Sequence, residues 1–380
     1  MRILISAGEA SGDLYASRVV EALRPRHPEA DFFGCAGPRM QASGVRPIID
    51  LRSIAVVGLV EVVAHIPRIY GQFRKLVASI SQERPDLAIL TDAPDFNLRL
   101  AKKLKRRGVP VVYLIAPQAW AWREGRVKTM RATFNRLLCI FPFEQEFFES
   151  HGVPTTYIGH PLARIVKPTL DRAQFCEKFN LDPAARIVAL LPGSRHGEVA
   201  RHIPDLVESA AYLRQRHGVT PILALPPGFD LESTNFQEPI RSASIQVIEG
   251  YTWDVLAQAE LALAASGTVT VEAALLGVPM VTFYRVNALS WLLGRWLVRA
   301  PFLSMVNLVA GRRIVPELIQ QDMSADRLAA EASRLLDSAE ARAAMKHDLA
   351  EAADKLRSDR DPMDAAAEWI ERVWSETRAT

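Results

Sequence analysis

Cysteine is scarce in this 380-residue sequence, and long apolar runs are missing. The three cysteines (Cys35, Cys139 and Cys176) are odd in number and widely separated, which excludes a disulfide framework and favours a reducing compartment. The longest mainly apolar stretch without charge, from Val109 to Trp122, has 14 residues, whereas a bilayer-spanning helix needs about 20. The opening run MRILISAGE is too short in apolar residues for a signal peptide and reads as a first strand. We therefore expect a cytoplasmic protein without a membrane-spanning helix.

Signatures of metal sites and of serine hydrolases are also missing. The eight histidines are scattered, and His196 and His202 lack the i, i+4 spacing of zinc ligands on a helix. The sequence contains neither a paired-cysteine motif nor a G-x-S-x-G nucleophile elbow. We therefore predict no metal site and no Ser-His-Asp hydrolase.

The composition that is present suits a soluble globular protein of two domains. Hydrophobic residues make up 49% of the chain and charged residues 23%. The net charge of +3 does not favour nucleic acid as a partner. Positive charge is nevertheless concentrated: eleven basic residues face the single acid Glu124 between Arg99 and Arg136, and no acid lies between Glu272 and Glu317. These stretches suit phosphates or an anionic surface, and the alternative is solvated helix faces with a few ion pairs.

Two stretches mix apolar residues with flanking arginines. One precedes Arg68, and the other combines two tryptophans with arginines at helical spacings. This composition is typical of a helix that lies in a membrane interface, and the alternative is a helix packed on its own core with extended arginines. The residues expected to contact a membrane or acyl chains are Val56, Val57, Leu59, Val60, Trp291, Arg295, Trp296 and Arg299.

Apolar strand patterns alternate with amphipathic helices in two series, which predicts an α/β protein with two doubly wound domains. The break is expected near residues 161–168, where prolines interrupt the periodicity. In such domains ligands bind at the carboxyl ends of the strands, here facing a cleft between the domains. The predicted strands are Arg2–Ala7, Asp31–Cys35, Leu87–Thr91, Val111–Ile115, Leu137–Ile140, Thr156–Ile158, Ile187–Leu191, Pro221–Ala224, Gln246–Ile248, Leu261–Ala264 and Met280–Phe283.

The first strand is followed by the turn GEASGD, which holds Gly8, Glu9, Ser11, Gly12 and Asp13. Two glycines and a helix N-terminus let the backbone approach a ligand closely. The spacing is not that of a dinucleotide fingerprint, and no P-loop lysine follows. The alternative is a capped helix start with Ser11 or Asp13 as N-cap.

A second turn, DAPDFN, follows the strand that ends at Thr91 and carries two carboxylates. A carboxylate at this position can accept a proton from a substrate hydroxyl, which is the role of a general base. Asp95 suits the cap of the following helix, so Asp92 is the favoured base, with Asp95, Glu9 and Asp13 left open.

Two further turns in the second series suit a diphosphate. Gly193, Ser194 and Arg195 combine a tight turn, a hydroxyl and a guanidinium; the alternative is a turn with an exposed arginine. The run ASGT places small residues at a helix start near Thr268, and a carboxylate one turn later suits the two hydroxyls of a ribose. The candidate residues of this second turn are Ser266, Gly267, Thr268 and Glu272.

Seven segments in order resemble the family of lipid-A-disaccharide synthases over essentially the whole chain. They are GEASGD, AGPRMQASG, DAPDFN, PQAWAWREGRV, LPGSR, ASGT with Glu272, and VNLVAGR. The resemblance implies a GT-B fold of two Rossmann-like domains, with residues 1–165 binding the acceptor and residues 166–354 binding the nucleotide sugar. A helix at about residues 355–380 is expected to return to the first domain.

The resemblance also implies the reaction. Such enzymes transfer the sugar of UDP-2,3-diacylglucosamine to 2,3-diacylglucosamine 1-phosphate with inversion, which gives a β-1,6 disaccharide and UDP in lipid A (lipopolysaccharide) biosynthesis. Glu272 is then expected to bind the ribose and Asn307 to help hold the donor. No cofactor is expected, because Arg195, its turn and the helix N-terminus near Thr268 can stabilise the departing UDP without a metal.

The fatty acyl chains of both substrates imply peripheral association with the cytoplasmic surface of the inner membrane, and a homodimer is possible. Two alternatives stay open. One is a UDP-GlcNAc 2-epimerase, for which the tryptophan-arginine stretch has no role. The other is a non-catalytic module that binds lipid phosphates.

Overall fold

The structure is a computed structural model of the 380-residue chain, and it describes residues 1–54, 59–122, 125–231, 234–287, 291 and 300–378. For residues 59–65 and 122 it describes the backbone only. The chain divides into two compact units: Met1–Pro161 with Ser358–Thr380, and Leu162–Arg357.

The first unit is built on a parallel sheet of seven strands in the order β3-β2-β1-β4-β5-β6-β7. This order, in which the chain starts in the middle and winds outwards in both directions, is that of a doubly wound Rossmann-like domain. The central strands are mainly apolar and almost entirely buried because both faces of the sheet are covered by helices. The strands are β1 (Arg2–Ser6), β2 (Asp31–Ala36), β3 (Arg46–Asp50), β4 (Leu87–Thr91), β5 (Val111–Leu114), β6 (Arg136–Cys139) and β7 (Thr155–Tyr157).

Helices connect these strands. They are α1 (Ala10–Leu23), α2 (Pro38–Ala42), α3 (Leu59–Glu83), α4 (Pro94–Lys105), α5 (Ala119–Trp122), α6 (Gly125–Thr133) and α7 (Pro142–Ser150). Helix α4 packs between α3 and α6. The outward side of α3 exposes Ile66 and Tyr70, although most large apolar side chains of the described residues are buried.

The second unit repeats the design with a parallel sheet of six strands in the order β10-β9-β8-β11-β12-β13. The strands are β8 (Ile187–Leu191), β9 (Thr220–Leu225), β10 (Gln246–Glu249), β11 (Ala259–Ala265), β12 (Met280–Tyr284) and β13 (Glu317–Ile319). The helices are α8 (Leu162–Ile165), α9 (Arg172–Phe179), α10 (His196–His217), α11 (Gln237–Ser242), α12 (Thr252–Gln258), α13 (Thr268–Leu275), α14 (Met305–Ala310), α15 (Ala325–Asp337) and α16 (Ala339–Leu356).

The last helix, α17 (Pro362–Arg378), belongs to the first unit and packs on α1. Its apolar side chains are buried there, and Arg26 forms salt bridges with Glu368 and Glu371 of α17. Two guanidinium groups lie over the Trp369 ring, that of Arg136 at the start of β6 at 4.3 Å from the ring centroid and that of Arg372 on α17 itself at 4.2 Å.

The eleven predicted strands are confirmed to within about two residues at each end. Two strands were not predicted, β3 and β13, and both lie at the edge of their sheet. An edge strand is covered on fewer sides, so β3 is half exposed, contains Pro47 and lacks the continuous apolar run of a central strand.

No helix of the described residues is both long and apolar enough to cross a membrane. Much of the predicted membrane-contact set cannot be placed. Val56, Val57, Arg295, Trp296 and Arg299 lie outside the described residues, as do the side chains of Leu59 and Val60 at the start of α3, whereas Trp291 is half-buried.

Candidate active site

Asp92 lies at the turn between β4 and α4 in an unusual backbone conformation. Its φ is 49°, and that of Ala93 is 36°. Residues other than glycine rarely adopt positive φ because their Cβ atom meets the backbone. Such a conformation persists only where the surroundings hold it, and it is frequent at functional sites.

Two side chains hold the main chain of this turn. The Tyr113 hydroxyl on β5 donates a hydrogen bond of 2.5 Å to the Asp92 carbonyl oxygen. The Asn97 amide of α4 donates to the carbonyls of Thr91 at 2.7 Å and Asp92 at 3.1 Å, and its oxygen accepts from the Ser6 hydroxyl at 2.8 Å. Tyr113 and Asn97 are both fully buried. Their hydrogen bonds fix the orientation of the main chain at Asp92, where the chain leaves the sheet.

The Asp92 carboxylate contacts the GEASGD segment, so the structure brings two of the predicted loops together. One carboxylate oxygen accepts from the Gly8 amide at 2.5 Å and the other from the Glu9 amide at 3.0 Å. The side chain is half-buried. Burial raises the pKa of Asp92 to about 8, although the hydrogen bonds from Gly8 and Glu9 act in the opposite direction.

Both glycines of this segment are required by close approach. A Cβ atom on Gly12 would lie 1.7 Å from Oδ2 of Asp92, and one on Gly8 would lie 2.2 Å from Cβ of Ala93. The two glycines therefore make room for the Asp92 turn. Ser11 is exposed in the first turn of α1, next to Gly12.

Asp13 has a different position from the one expected. Helix α1 begins at Ala10 with Glu9 at the N-cap position, so the interpretation of Ser11 or Asp13 as the N-cap is wrong. The buried Asp13 carboxylate instead accepts three main-chain N–H bonds at the start of α2, from Gly37 at 2.9 Å, Arg39 at 2.9 Å and Met40 at 3.2 Å. It anchors the AGPRM segment to α1.

Asp95 is not the cap of α4 either. The helix begins at Pro94 with Ala93 at the N-cap position, where no side chain supplies a hydrogen bond. The exposed Asp95 carboxylate forms an ion pair of 2.5 Å with the guanidinium of Arg126. This pair brings the start of α6, at the end of the PQAWAWREGRV segment, beside the Asp92 turn.

In the second unit, the turn after β8 is organised by a residue of α10. Gly193 has a φ of +113°, which favours glycine, and the side chains of Ser194 and Arg195 are exposed. The Glu198 carboxylate accepts from Arg195 at 2.9 Å and from the Tyr284 hydroxyl at 3.0 Å. Glu198 thus joins this turn to the end of β12.

The second predicted phosphate turn follows β11, which is the neighbour of β8 in the sheet. Helix α13 begins at Thr268 as predicted, with Gly267 at the N-cap position. The Ser266 hydroxyl donates to the Leu303 carbonyl at 2.9 Å. Burial raises the pKa of Glu272, and a hydrogen bond from Trp253 partly offsets this shift.

Asn307 is fully buried, and both ends of its amide have protein partners. Its oxygen accepts from the main chain of Ile314 at 2.8 Å and Val315 at 3.0 Å. Its nitrogen donates to the Val315 carbonyl at 3.0 Å and the Glu317 carboxylate at 2.8 Å. These contacts hold α14 against the start of β13.

Sequence reasoning missed four residues that shape these turns: Tyr113, Asn97, Glu198 and Tyr284. Asn97 is the last residue of the DAPDFN segment and Glu198 follows the LPGSR segment by three residues, but nothing in the sequence marks the two tyrosines. Within the described part of the chain, no group of three or more His, Cys, Asp or Glu side chains is placed to hold a metal ion.

Known proteins resemble this chain over most of its length. A family model described as "Lipid-A-disaccharide synthetase" matches residues 3–368. A "Lipid-A-disaccharide synthase" of Solibacter usitatus is 59% identical over 355 residues, which are 93% of each chain. One of Geobacter sulfurreducens is 47% identical over 340 residues, 88% of each chain.

Solved structures with much lower identity share the fold. A glycosyltransferase of kitacinnamycin superposes with a TM-score of 0.66 at 16% identity, covering 98% of each chain. A UDP-GlcNAc 2-epimerase from Neisseria meningitidis bound to UDP-GlcNAc has a TM-score of 0.63 at 13% identity, covering 99% of this chain and 100% of that one. The fold is that of GT-B proteins, with two Rossmann-like domains. The chain belongs to the lipid-A-disaccharide synthetase family.

Proposed function

We propose that the protein transfers the sugar of UDP-2,3-diacylglucosamine to 2,3-diacylglucosamine 1-phosphate, giving the β-1,6 disaccharide 1-phosphate and UDP. Membership of the family supports this reaction. The observation that carries it is the half-buried Asp92 carboxyl, held by main-chain amides on a turn with positive φ. The first unit binds the acceptor, and the second binds the nucleotide sugar.

Asp92 acts as the general base. Its carboxylate takes the proton of the acceptor 6-hydroxyl while that oxygen attacks C1 of the donor and the bond from C1 to the diphosphate oxygen breaks. A single displacement converts the α-linked donor into a β-linked product. Only the ionised carboxyl can accept the proton, so its pKa of about 8 requires that substrate or pH favour ionisation.

The turns of the second unit hold the donor. Two elements stabilise the negative charge on the departing UDP. They are the Gly193–Ser194 turn with Arg195, and the N-terminus of α13. Glu272 binds the two ribose hydroxyls. Asn307 contributes by shaping the segment before β13, since its amide is occupied by protein groups. The reaction needs neither a metal nor a cofactor in this scheme.

The first unit associates with the cytoplasmic surface of the inner membrane, where the acylated substrates reside. Support comes from α3, which leaves Ile66 53% exposed and Tyr70 59% exposed beside the exposed cations Arg68 and Arg74. Exposed apolar side chains flanked by cations are typical of a surface that rests on anionic lipid. The neighbouring α4 adds further exposed basic residues, namely Arg99, Lys102 and Lys105.

UDP release tests the reaction. The purified protein is mixed with UDP-2,3-diacylglucosamine, with and without 2,3-diacylglucosamine 1-phosphate, in the presence of EDTA. Release that requires the acceptor and survives EDTA supports a metal-independent glycosyltransferase. Release that does not require the acceptor contradicts the transferase, and turnover of UDP-GlcNAc without acceptor favours the epimerase alternative. No release with retained UDP binding favours a binding module.

A further inference from the structure

His202 forms hydrogen bonds to two separate segments of the second unit, one that follows β8 and one that follows β12. It lies on α10 and is fully buried. Its Nδ1 is 2.6 Å from the carbonyl oxygen of Pro192, and its Nε2 is 3.1 Å from the main-chain nitrogen of Arg285. The Pro192 carbonyl can only accept, so Nδ1 carries the proton. In the neutral ring Nε2 is then the acceptor for the Arg285 N–H, and its approach of 3.3 Å to the Arg285 carbonyl oxygen is not a hydrogen bond. Burial lowers the pKa of His202, which keeps the ring neutral.

The two partners of His202 lie on strands that are not neighbours. Pro192 follows β8 and directly precedes the Gly193–Arg195 turn, whereas Arg285 follows β12. Strand β11 lies between β8 and β12, and its end carries the Ser266–Thr268 turn. The imidazole therefore links the segment after β8 to the segment after β12. These two segments flank the turn at the end of β11, and the link fixes the distance between them.

The same two strand ends are joined a second time, one helical turn earlier. Glu198 connects the Arg195 side chain to the Tyr284 hydroxyl. Residues i and i+4 of a helix lie on one face, so Glu198 and His202 form a double brace between the turn after β8 and the end of β12. The His202 ring also packs edge-on against Phe283.

Arg285 is itself fixed to the body of the unit. Its guanidinium forms a salt bridge of 2.6 Å with Asp205 of α10 and donates to the carbonyls of Gln320 and Met323. On the β12 side, His202 is thus bonded to a residue, Arg285, that several other contacts hold in place. The other end, the turn at Gly193, has the conformational freedom of glycine and gains the most from being held.

We propose that His202 is a positioning residue for the donor site, which presets the Gly193–Arg195 turn for the diphosphate of the nucleotide. This inference rests on the proposed function of that turn. A turn that is ordered before the ligand arrives loses less conformational entropy on binding. His202 therefore contributes to the affinity for UDP and the UDP-sugar without touching either.

Three substitutions separate the two hydrogen bonds. His202→Asn keeps a donor near the position of Nδ1, His202→Gln keeps an acceptor near that of Nε2, and His202→Phe removes both. Loss of one hydrogen bond of ordinary strength weakens UDP binding by roughly threefold to tenfold. We expect Kd for UDP and KM for the donor to rise by about this factor in the Asn and Gln variants and further in the Phe variant. KM for the acceptor is expected to stay unchanged.

His217, on the same helix, provides the matched control. Its Nε2 is 2.8 Å from the Ser333 hydroxyl, and its Nδ1 is 3.4 Å from the Asp337 carboxylate, far along α10 from the Gly193 turn. His217→Asn and His217→Gln remove comparable contacts. They are expected to lower Tm and to leave the Kd for UDP unchanged.

Isothermal titration with UDP, thermal unfolding and steady-state kinetics decide between the outcomes. A folded His202→Phe variant, or Asn and Gln variants if the Phe variant does not fold, with a Kd for UDP within twofold of wild type would overturn the inference alone. Failure of the wild-type protein to bind UDP would overturn the proposed function together with it. Weaker UDP binding with an unchanged acceptor KM supports the positioning role.

Discussion

The hydroxyl of Tyr113 donates a hydrogen bond of 2.5 Å to the carbonyl oxygen of Asp92, across 21 residues of sequence. This contact joins the middle of β5 to the turn that carries the proposed base. Because Tyr113 is fully buried, the surrounding core fixes its ring, and neither solvent nor substrate reorients it. The direction of the Asp92 side chain is thus set from inside the core of the first unit.

Tyr113→Phe removes this hydrogen bond and leaves the Asp92 carbonyl to Asn97 alone. We expect a loss of stability of about 1 kcal/mol, as for one hydrogen bond, and a fall in kcat of about tenfold because the carboxylate is less well oriented. UDP affinity, which we propose to depend on the second unit, is the internal reference and is expected to stay constant. A variant with wild-type kcat would show that Asp92 does not depend on the tyrosine.

Asp92→Asn and Asp95→Asn form a matched pair. Loss of a general base lowers kcat by about 10²- to 10⁴-fold, and we expect this for Asp92→Asn with unchanged UDP affinity. Asp95→Asn weakens an exposed ion pair with Arg126, which contributes little in water, so its kcat is expected to remain within about threefold of wild type. The reverse order of the two rate losses would assign the base to Asp95.

Two Gly→Ala substitutions separate stability from ligand approach. In Gly12→Ala the methyl group would displace the Asp92 carboxylate, so both Tm and kcat are expected to fall, kcat by on the order of 100-fold.

Among the described residues, no heavy atom other than chain neighbours lies within 4 Å of a Cβ atom placed on Gly267. Gly267→Ala is expected to keep Tm and to weaken UDP binding by about tenfold, because the methyl group occupies the path of a phosphate. Unchanged UDP affinity in this variant would remove α13 from the donor site.

Stability and activity are expected to respond to pH in opposite directions. Burial raises the pKa values of Asp92 and Glu144 from 3.8 and 4.5 to about 8. Between pH 5 and pH 8 the folded state therefore holds protons that the unfolded chain has released, so the free energy of unfolding falls as pH rises. The rate, kcat/KM, is expected to rise over pH 7 to pH 9 as Asp92 ionises.

Glu144→Gln distinguishes the two trends. Glu144 is buried, accepts from the Trp120 indole at 3.1 Å and is not part of the proposed site. This substitution is expected to flatten the dependence of Tm on pH and to leave the pH profile of kcat/KM unchanged. A profile that shifts with Glu144→Gln would mean that Glu144, and not Asp92, controls the rate.

Membrane association can be tested on α3. Ile66→Ser with Tyr70→Ser removes exposed apolar area, so we expect co-sedimentation with phosphatidylglycerol vesicles to fall while Tm is unchanged. Tyr212→Ser on α10 removes a similarly exposed ring from the second unit and is expected to retain vesicle binding. Equal binding by all variants would contradict the role of α3.

The sequence predicts the central strands and the turns that follow them because both depend on local patterns. Strands β1, β4, β8 and β11 each contain an apolar run of at least four residues if alanine is counted, except for the three residues Ile3–Ile5 of β1, and the glycine-rich turns come directly after β1, β8 and β11. The resemblance to a family adds the reaction. The central strands, the turns and the reaction can thus be predicted without knowing which distant segments are in contact.

Hydrogen bonds between distant segments could not be predicted in the same way. Asp13 suits an N-cap by its position, yet it bonds to amides 24 to 27 residues away at the start of α2. Tyr113 lies in an ordinary apolar strand, and its partner depends on the pairing of β4 with β5. Partners of this kind follow from the assembled sheet and not from spacing along the chain.

The first unit is assembled from the two ends of the chain, since α17 packs on α1 after the whole second unit has intervened. On the ribosome, residues 1–161 emerge first, whereas the helix that covers α1 is made only after the whole second unit. The second unit can fold before α17 is made, whereas the unit with Asp92 is complete only after α17 has been added. Release of the nascent chain before α17 is made would therefore leave a complete second unit beside a first unit with uncovered apolar surface on α1, and incomplete regions of this kind are where proteases cut.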